Sequence, residues 1–424
     1  MNDAALTRLL QQAQRNIQTE PLLGLERMRQ LLSALGNPQQ QGHFIHVAGT
    51  NGKGSTIAFL RTMLLQAGHC VGSYTSPHLH CFNERIVVND QSITDEQLQA
   101  LLQQVLAIPS EATFFELTTA IAFCHFAALP SLQLTLLETG LGGRLDATNV
   151  VTPCLCILTA LDLDHGDYLG TTLSQVAREK AGILKVGVPA VADPGSAIAT
   201  TVIRQRAREL STPLWLRGEQ FDYIIHRDGT WHYQDQQGTL SLPAPGLIGD
   251  HQYQNAALAI AALRLLQWPI ETEAINRGIA QTRWPGRMER YEAPVTVWLD
   301  GAHNPHAIQA LLQTLASLPG SPTYLIFSAL KDKDVAAMAC LLASVVDRVW
   351  TVSVTTEPES RCLSSQQLAT LWQPYHTAAT PCSSATEALE QALSACPSHG
   401  RVVVTGSLYL VAAVRSYLLS RTQP

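Results

Sequence analysis

The chain has 424 residues, of which 46% are hydrophobic and 15% charged, a composition typical of a globular protein. At about 150 residues per domain, this length predicts two or three domains, and we expect two. The net charge of −6 comes without a basic cluster, which argues against a nucleic-acid partner, and no apolar run reaches the roughly 18 residues that a membrane span requires.

The beginning of the chain does not have the pattern of a targeting segment. MNDAALTRLLQQAQRN places polar residues within an amphipathic pattern. A secretory signal would instead begin with basic residues and continue into an apolar stretch. The sequence therefore predicts a cytoplasmic protein with no membrane association.

Strand and helix patterns alternate over the first half of the chain. Apolar side chains recur at helical spacing in residues 24–35, and the apolar strand HFIHVA follows at residues 43–48. This alternation continues and is typical of a parallel sheet with crossover helices. The further predicted strands are residues 133–138, 154–159 and 188–192, and the predicted helices include residues 116–129 and 196–210.

The pattern changes after residue 217. Polar and aromatic residues alternate around Asp-Gly and Gln-Gly turns in residues 218–245, which predicts an antiparallel hairpin at the surface. Two predicted helices, residues 252–267 and 271–281, then lead to the breaker-rich stretch TRWPGRMERYEAP. Because strands and helices alternate again from VTVWLD onward, we expect a first domain over residues 1–290 and a smaller Rossmann-like α/β domain over residues 291–424.

A glycine-rich segment, GTNGKGST, lies between the first strand and a helical run. Glycines let successive backbone N–H groups turn towards phosphate oxygens, the helix N-terminus adds a positive dipole end, and Lys53 supplies a cation. The spacing departs from the common phosphate loop, and a glycine-rich turn with a structural lysine is the alternative. We predict a nucleoside triphosphate site formed by Thr50, Asn51, Gly52, Lys53, Gly54 and Ser55.

Three other residues are candidates for chemistry beside this loop. Glu138 ends the apolar strand LTLLE, so its carboxylate should emerge at the carboxyl edge of the sheet, where ligands collect. One carboxylate together with phosphate oxygens is a sufficient anchor for Mg²⁺. From the residues alone, His165 is equally compatible with an ordinary loop histidine, and Lys180 with a solvated cation at the end of a helix.

A series of motifs resembles, in its usual order, the folylpolyglutamate and dihydrofolate synthase family of the Mur ligase superfamily. The motifs span most of the chain, which makes the resemblance far more specific than the phosphate loop alone. Besides GTNGKGS they are TSPHL, NERI, TFFE, ETGLGGRLDATN, LDHGDYLG, REKAGI, PGR and LDGAHNPH.

The resemblance implies the fold and the site. It implies an N-terminal P-loop ATPase domain with a parallel sheet and a smaller C-terminal Rossmann-like domain. It also implies ATP and two Mg²⁺ ions, the first bound by Ser76 and Glu138 and the second by His165 and a carbamylated Lys180. At the nucleotide, the resemblance places Asn255 facing the adenine, Arg287 and Asp300 in contact with the nucleotide, and His303 near the transferring phosphate. For Asp300 and His303, the alternative is a helix cap with a loop histidine.

The implied reaction is amide-bond formation. A substrate carboxylate attacks the γ-phosphate of ATP, and the amino group of L-glutamate then displaces phosphate from the acyl phosphate. The acids implied are dihydropteroate and reduced folates, both used by one monomeric chain, with Lys53, Lys180 and His303 as catalytic residues. The implied substrate-binding residues are Gly24, Leu25, Thr113, Phe114, Phe115, Glu116, Leu145, Asp146 and Ala147; Phe114 and Phe115 are equally compatible with a core role.

Three alternatives remain open. A monofunctional member of the same family would use only one of the two acids. A Mur-type ligase acting on a UDP-muropeptide would need a separate N-terminal domain, and only some 40 residues precede the first predicted strand. A P-loop regulator would bind nucleotide without ligating anything.

Overall fold

The computed structural model describes residues 24–354, 361–375 and 377–422. The segment MNDAALTRLLQQAQRN, on which the prediction about targeting depends, lies outside the described residues. The chain divides into two compact units, the first reaching Gly246 and including Tyr253–Thr282, the second comprising Leu247–Gln252 and continuing from Arg283. The functional boundary that we placed after residue 290 stays a prediction. No helix in the described part of the chain combines the length and apolar character that crossing a bilayer requires.

The first unit contains an eight-stranded sheet. Six strands run parallel because helical connections carry the chain back across the sheet, while two strands form an antiparallel extension at one edge. The strands are β1 (Phe44–Ala48), β2 (Val71–Tyr74), β3 (Ile86–Val88), β4 (Gln91–Ser92), β5 (Leu134–Glu138), β6 (Leu155–Leu158), β7 (Ala190–Ala192) and β8 (Leu214–Leu216). Their order across the sheet is β4-β3-β2-β5-β1-β6-β7-β8, so β1 lies between β5 and β6.

The helices of this unit follow the predicted pattern, which confirms the α/β fold. They are α1 (Glu26–Ala34), α2 (Lys53–Gln66), α3 (Asp95–Leu106), α4 (Phe114–Ala127), α5 (Gly166–Leu169), α6 (Leu173–Ala181), α7 (Ala197–Glu209), α8 (His251–Leu265) and α9 (Thr272–Gln281). Apolar side chains are buried on both faces of the sheet: in β1, Phe44 and Ala48 lie on one face, and Ile45 and Val47 lie on the other. Parallel strands buried on both faces consist of nearly continuous apolar residues, which is why the sequence identifies β1, β5, β6 and β7. The parallel strands β2 and β8 were not predicted.

The predicted surface hairpin is part of a larger element, and this prediction was wrong in extent. Residues 218–245 form a three-stranded antiparallel sheet of β9 (Phe221–Ile225), β10 (Trp231–Asp235) and β11 (Gly238–Leu242). The rings of Trp231 and Tyr233 are fully buried, and Trp231 packs edge-on against Tyr253 of α8. The Asp-Gly and Gln-Gly turns each close a two-strand pair, so both turn signals were needed to build three strands.

The second unit contains a six-stranded sheet in the order β12-β13-β17-β14-β15-β16. Its strands are β12 (Glu289–Glu292), β13 (Thr296–Leu299), β14 (Thr323–Phe327), β15 (Arg348–Val352), β16 (Ala378–Cys382) and β17 (Arg401–Thr405). All pairs are parallel except β12 with β13. Its helices are α10 (Pro305–Ser317), α11 (Val335–Leu342), α12 (Ser365–Thr370), α13 (Ala385–Ala395) and α14 (Leu408–Thr422).

Candidate active site

The glycine-rich segment forms a tight loop between β1 and α2. Gly52 is the N-cap of α2 with φ of 88°, a left-handed conformation that glycine adopts without strain. A Cβ atom at Gly52 would lie 2.4 Å from the side-chain oxygen of Asn255. The first-turn N–H groups of a helix have no acceptor within the helix, so those that begin at Lys53 are available to an anion. The predicted triphosphate loop therefore has the backbone geometry that phosphate binding requires.

Lys53 lies over this loop. Its Nζ donates hydrogen bonds to the carbonyl oxygens of Gly49, at 3.1 Å, and Thr50, at 3.3 Å. The same Nζ is 3.9 Å from Oε1 of Glu138. Because the lysine stem is flexible, a cation held by loop carbonyls and a carboxylate can move onto a phosphate oxygen.

The segment after β6 anchors the loop from the other side, which the sequence analysis missed. The N–H groups of Thr50 and Asn51 donate to the carbonyl oxygen of Ala160. The hydroxyl of Thr159 donates to the backbone carbonyl oxygen of Asn51 at 2.7 Å. A Cβ atom at Gly49 would overlap the Thr159 hydroxyl, at 1.8 Å, so this glycine is needed for close approach. This contact could not be predicted because it depends on the adjacency of β1 and β6, which neither segment specifies by itself.

Glu138 and Ser76 meet at the carboxyl edge of the sheet. Glu138 is 5% exposed and ends β5, the neighbour of β1. Its Oε2 accepts a hydrogen bond from the backbone N–H of Ser76 at 3.1 Å. The structure thus brings together the two residues implied for the first Mg²⁺.

These oxygen donors suit a hard cation. Within residues 24–354, 361–375 and 377–422, no three His, Cys, Asp or Glu side chains lie close enough together to hold a metal ion by themselves. A carboxylate, a serine hydroxyl and phosphate oxygens are nevertheless the ligands that Mg²⁺ takes when it is bound together with a nucleotide. The residues at this edge therefore fit the ion that the resemblance implies, and their roles as its ligands stay predictions.

Lys180 is not a solvated cation. It lies in the last turn of α6 and is only 5% exposed. Its Nζ donates to the carbonyl oxygen of Gly49 at 2.8 Å, which brings it to the phosphate loop. His165 is the N-cap of α5 with φ of 53°, and its Nε2 is 3.8 Å from a carboxylate oxygen of Asp164. Whether His165 and Lys180 hold a second ion stays a prediction.

The motif TFFE has a local structural role besides any contact with substrate. The hydroxyl of Thr113 accepts from the N–H of Glu116, and the Glu116 carboxylate accepts from the N–H of Thr113, which is a capping box at the start of α4. The guanidinium of Arg27 pairs with the same carboxylate at 3.2 Å. Arg27 follows Gly24 and Leu25 in the chain, so the structure brings two of the predicted substrate segments together.

The two phenylalanines of this motif are half-buried. Phe114 packs edge-on against Phe82, and Phe115 lies against Tyr74 with ring centroids 6.2 Å apart. A Cβ atom at Gly140 would lie 2.4 Å from the ring of Phe115, so this glycine leaves room for the ring. The packing shows that both residues contribute to the core cluster of this face.

Asp146 lies at the end of the loop that follows β5. Its carboxylate caps the 3-10 helix Ala147–Val150 by accepting from the N–H of Thr148 at 3.0 Å, and it also accepts from the N–H of Leu141 at 2.8 Å. Burial raises the pKa of Asp146, while these hydrogen bonds favour its charged form. Leu145 is partly exposed, whereas Ala147 is buried.

Asn255 lies on α8 in the first unit, against the phosphate loop. Its Oδ1 is 3.5 Å from the hydroxyl of Thr56 and close to Gly52. This contact places Asn255 beside the loop that we predict to bind the triphosphate. Its role at the adenine stays a prediction.

The remaining predicted nucleotide residues lie in the second unit. Asp300 directly follows β13, and its carboxylate accepts from the N–H groups of Met288 and Ala302, each at 2.9 Å. The ring of His303 contacts the carbonyl oxygen of Gly301 at 2.8 Å. Asp300 therefore fixes the turn that presents His303.

His251, a partly exposed residue at the start of α8, is one that the sequence analysis missed. Burial lowers the pKa of His251. The negative charge of Asp300 raises this pKa, and the positive charge of Arg287 lowers it further. His251 thus belongs to the same group of charges in the second unit as two of the predicted nucleotide residues. In the sequence, a glycine two positions earlier, Gly249, could have drawn attention to His251. In the structure, a Cβ atom added at Gly249 would lie 2.7 Å from the His251 ring.

The parallel sheet with a phosphate loop after β1, and a carboxylate at the end of the neighbouring strand, define a P-loop nucleotide-dependent enzyme. Residues 286–408 match the family model "Mur ligase, glutamate ligase domain". The chain is 41% identical over 337 residues to the dihydrofolate synthase/folylpolyglutamate synthase of Bacillus subtilis, covering 73% of this chain and 76% of that protein. For the Escherichia coli protein of the same name, identity is 34% over 403 residues, covering 94% and 92%.

Solved structures agree with these relatives. Escherichia coli FolC in complex with DHPP and ADP superposes with a TM-score of 0.90 at 33% identity, covering 99% of this chain and 100% of that chain. The bifunctional synthase of Yersinia pestis with AMPPNP and an Mn ion gives a TM-score of 0.88 at 33% identity, covering 98% of each chain. The chain belongs to the folylpolyglutamate synthase/dihydrofolate synthase family and is an ATP-dependent ligase.

Proposed function

We propose that this chain ligates L-glutamate to dihydropteroate and to reduced folates, using ATP to form an acyl phosphate. The observation that supports this most directly is the convergence of Lys53 and Glu138 on the phosphate loop. This is the charge arrangement that phosphoryl transfer needs. Two relatives that align over most of the chain, those of Bacillus subtilis and Escherichia coli, are named for both activities.

The residues of the loop would bind and orient the triphosphate. In this proposal the first-turn N–H groups of α2 hold the phosphate oxygens, and Lys53 neutralises the charge that builds up when the substrate carboxylate attacks. Glu138 and Ser76 would hold Mg²⁺, which supplies further charge neutralisation when bound. In the second unit, Arg287, Asp300 and His303 would contact the nucleotide, with His303 near the transferring phosphate.

The acid would be bound by other residues of the first unit. Gly24, Leu25, the TFFE motif and residues 145–147 would hold the pterin part, with the ring of Phe114 or Phe115 against it. Arg27 would act with them, because it pairs with Glu116 of that motif. A monomeric state and a cytoplasmic location complete the proposal.

The test is a matrix of acids and amino acids, scored for ADP release and for product mass. We expect glutamylated products from dihydropteroate and from tetrahydrofolate with L-glutamate, and none with other amino acids. A UDP-muropeptide that gave product would instead indicate a Mur-type ligase. ATP binding without ADP release under any combination would indicate a regulator.

The same assay tests whether one chain uses both acids. Dihydropteroate lacks the glutamate tail, so its pterin must shift by roughly one glutamate length for its carboxylate to reach the same γ-phosphate, about 3 Å away. We therefore expect dihydropteroate both to be glutamylated and to inhibit folate extension competitively. If it does neither, the chain is a monofunctional member of the family.

Lys180 gives a further prediction, which is that its amino group is carbamylated. Burying an ammonium group is costly, and a carbamate would replace the positive charge with an anion while keeping one N–H for the Gly49 carbonyl. We expect Lys180→Ala to lose activity and to recover part of it with added acetate. The matched control is Lys185→Ala, which removes a partly buried lysine whose Nζ donates to the Asn149 carbonyl instead.

Electron density at the Lys180 tip decides the matter. Density for a carboxyl group on Nζ, together with rescue of Lys180→Ala but not of Lys185→Ala, would support the carbamate. A bare ammonium in a crystal grown with bicarbonate would end the idea.

A further inference from the structure

A chain of buried side chains leads from β1 to Asp146. His46 lies in β1, three positions before the loop glycine Gly49, and is fully buried. Its Nε2 is 2.8 Å from the hydroxyl oxygen of Thr148, which is also fully buried. The Thr148 hydroxyl in turn donates to Oδ1 of Asp146. Three polar groups are thus arranged in series inside the first unit.

The direction of these hydrogen bonds follows from the groups themselves. An ionised carboxylate only accepts, so the single hydroxyl hydrogen of Thr148 is directed to Asp146. The hydroxyl oxygen must then accept from His46, which therefore carries its hydrogen on Nε2. Burial lowers the pKa of His46 to about 3, so the ring is neutral and has one N–H to donate.

The other ring nitrogen agrees with this assignment. Nδ1 of His46 is buried, and no hydrogen-bond partner for it occurs within the described parts of the chain. Leaving a buried N–H unpaired would cost more than leaving a lone pair unpaired, so the hydrogen belongs on Nε2.

We propose that His46 and Thr148 are positioning residues for the acid substrate. They orient the carboxylate of Asp146, which can then accept a hydrogen bond from an N–H donor of a heterocyclic ring such as a pterin. Without the Thr148 hydroxyl, Asp146 keeps its backbone donors from Thr148 and Leu141 but loses the side-chain donor on Oδ1. This inference rests on the proposed function, because it takes Asp146 as part of the acid site.

Thr148→Val separates this role from a structural one. Valine has the shape of threonine and leaves the backbone N–H of Thr148 on Asp146, but it removes the hydroxyl. We expect dihydropteroate to bind about tenfold more weakly by calorimetry in saturating ADP, with the affinity for ADP unchanged. Thr148→Ser restores the hydroxyl and should bind dihydropteroate within about twofold of wild type.

His46→Leu provides an independent variant. It removes a buried polar ring with an unpaired nitrogen, so we expect an unchanged or higher Tm together with at least threefold weaker dihydropteroate binding. A residue that only supported the fold would lower both together. The matched control is Thr351→Val, because Thr351 is equally buried and its hydroxyl donates to the carbonyl oxygen of Ser365, outside every proposed site.

The outcomes are distinct. Selective loss of dihydropteroate binding in Thr148→Val and His46→Leu, with rescue by Thr148→Ser, supports the inference. Wild-type affinity in both variants, or an equal loss of ADP affinity, overturns it and leaves the proposed function standing. A wild-type protein that binds neither dihydropteroate nor tetrahydrofolate would overturn the proposed function and this inference with it.

Discussion

Lys53→Ala is expected to abolish ligation while the fold stays intact. In the structure the Nζ of this lysine contacts the loop carbonyls of Gly49 and Thr50 and the carboxylate of Glu138. It would therefore act mainly by neutralising phosphate charge, and we expect kcat/KM to fall by about a thousandfold, which is ~4 kcal/mol of transition-state stabilisation. The Tm should change by no more than about 2 °C.

The control for this variant is Lys331→Ala, which removes an exposed lysine outside the proposed site. Steady-state kinetics with ATP, L-glutamate and dihydropteroate provide the measurement. A Lys53→Ala protein that kept a tenth of the wild-type kcat/KM would have lost only ~1.4 kcal/mol, too little for a phosphate-binding cation. The assignment of the loop would then be wrong.

Glu138→Gln should remove most of the activity through the metal site. Glutamine keeps the shape of the side chain and an oxygen that can accept from the Ser76 N–H, but it removes the charge that would bind Mg²⁺. We expect kcat to fall by about a hundredfold or more at saturating ATP and the Mg²⁺ concentration for half-maximal rate to rise. Titrations of Mg²⁺ at fixed ATP measure both effects.

Glu219→Gln is the matched control, since Glu219 forms an exposed ion pair with Arg204 that contributes little to stability. Its activity and Mg²⁺ dependence should equal those of wild type. Full activity of Glu138→Gln with an unchanged Mg²⁺ requirement would show that this glutamate only supports the turn after β5. The expected defect of Glu138→Gln also differs from that of Lys53→Ala, whose Mg²⁺ dependence should stay normal in any residual activity.

Edge strands show where the sequence patterns fail. β12 and β16 were not predicted, and both lie at the edges of the second sheet. The sequence of β12 is ERYE and that of β16 is AATPC, so neither has the continuous apolar run of a central parallel strand. Edge strands carry charges and proline because they are only half covered, which removes the signal used for the inner strands.

Local features were determined by the sequence alone. The phosphate loop, the strand before it, the helix after it and the capping box of TFFE depend on residues that are close together in the chain. The order of the family motifs along the chain also needed no structure. For these reasons the fold class, the family and the position of the phosphate loop could be predicted from residues alone.

Contacts between distant segments were decided only by the tertiary structure. β1 pairs with β5 and β6, which places Glu138 and Thr159 beside the loop and brings Lys180 to Gly49. From the sequence, Lys180 was equally compatible with a solvated cation, and the hydrogen-bonded chain through His46 was not visible. Neighbouring parallel strands are separated in the chain by whole helices, so the order of the strands in the sheet decides which side chains meet. This order follows from packing both faces of the sheet and not from any short motif.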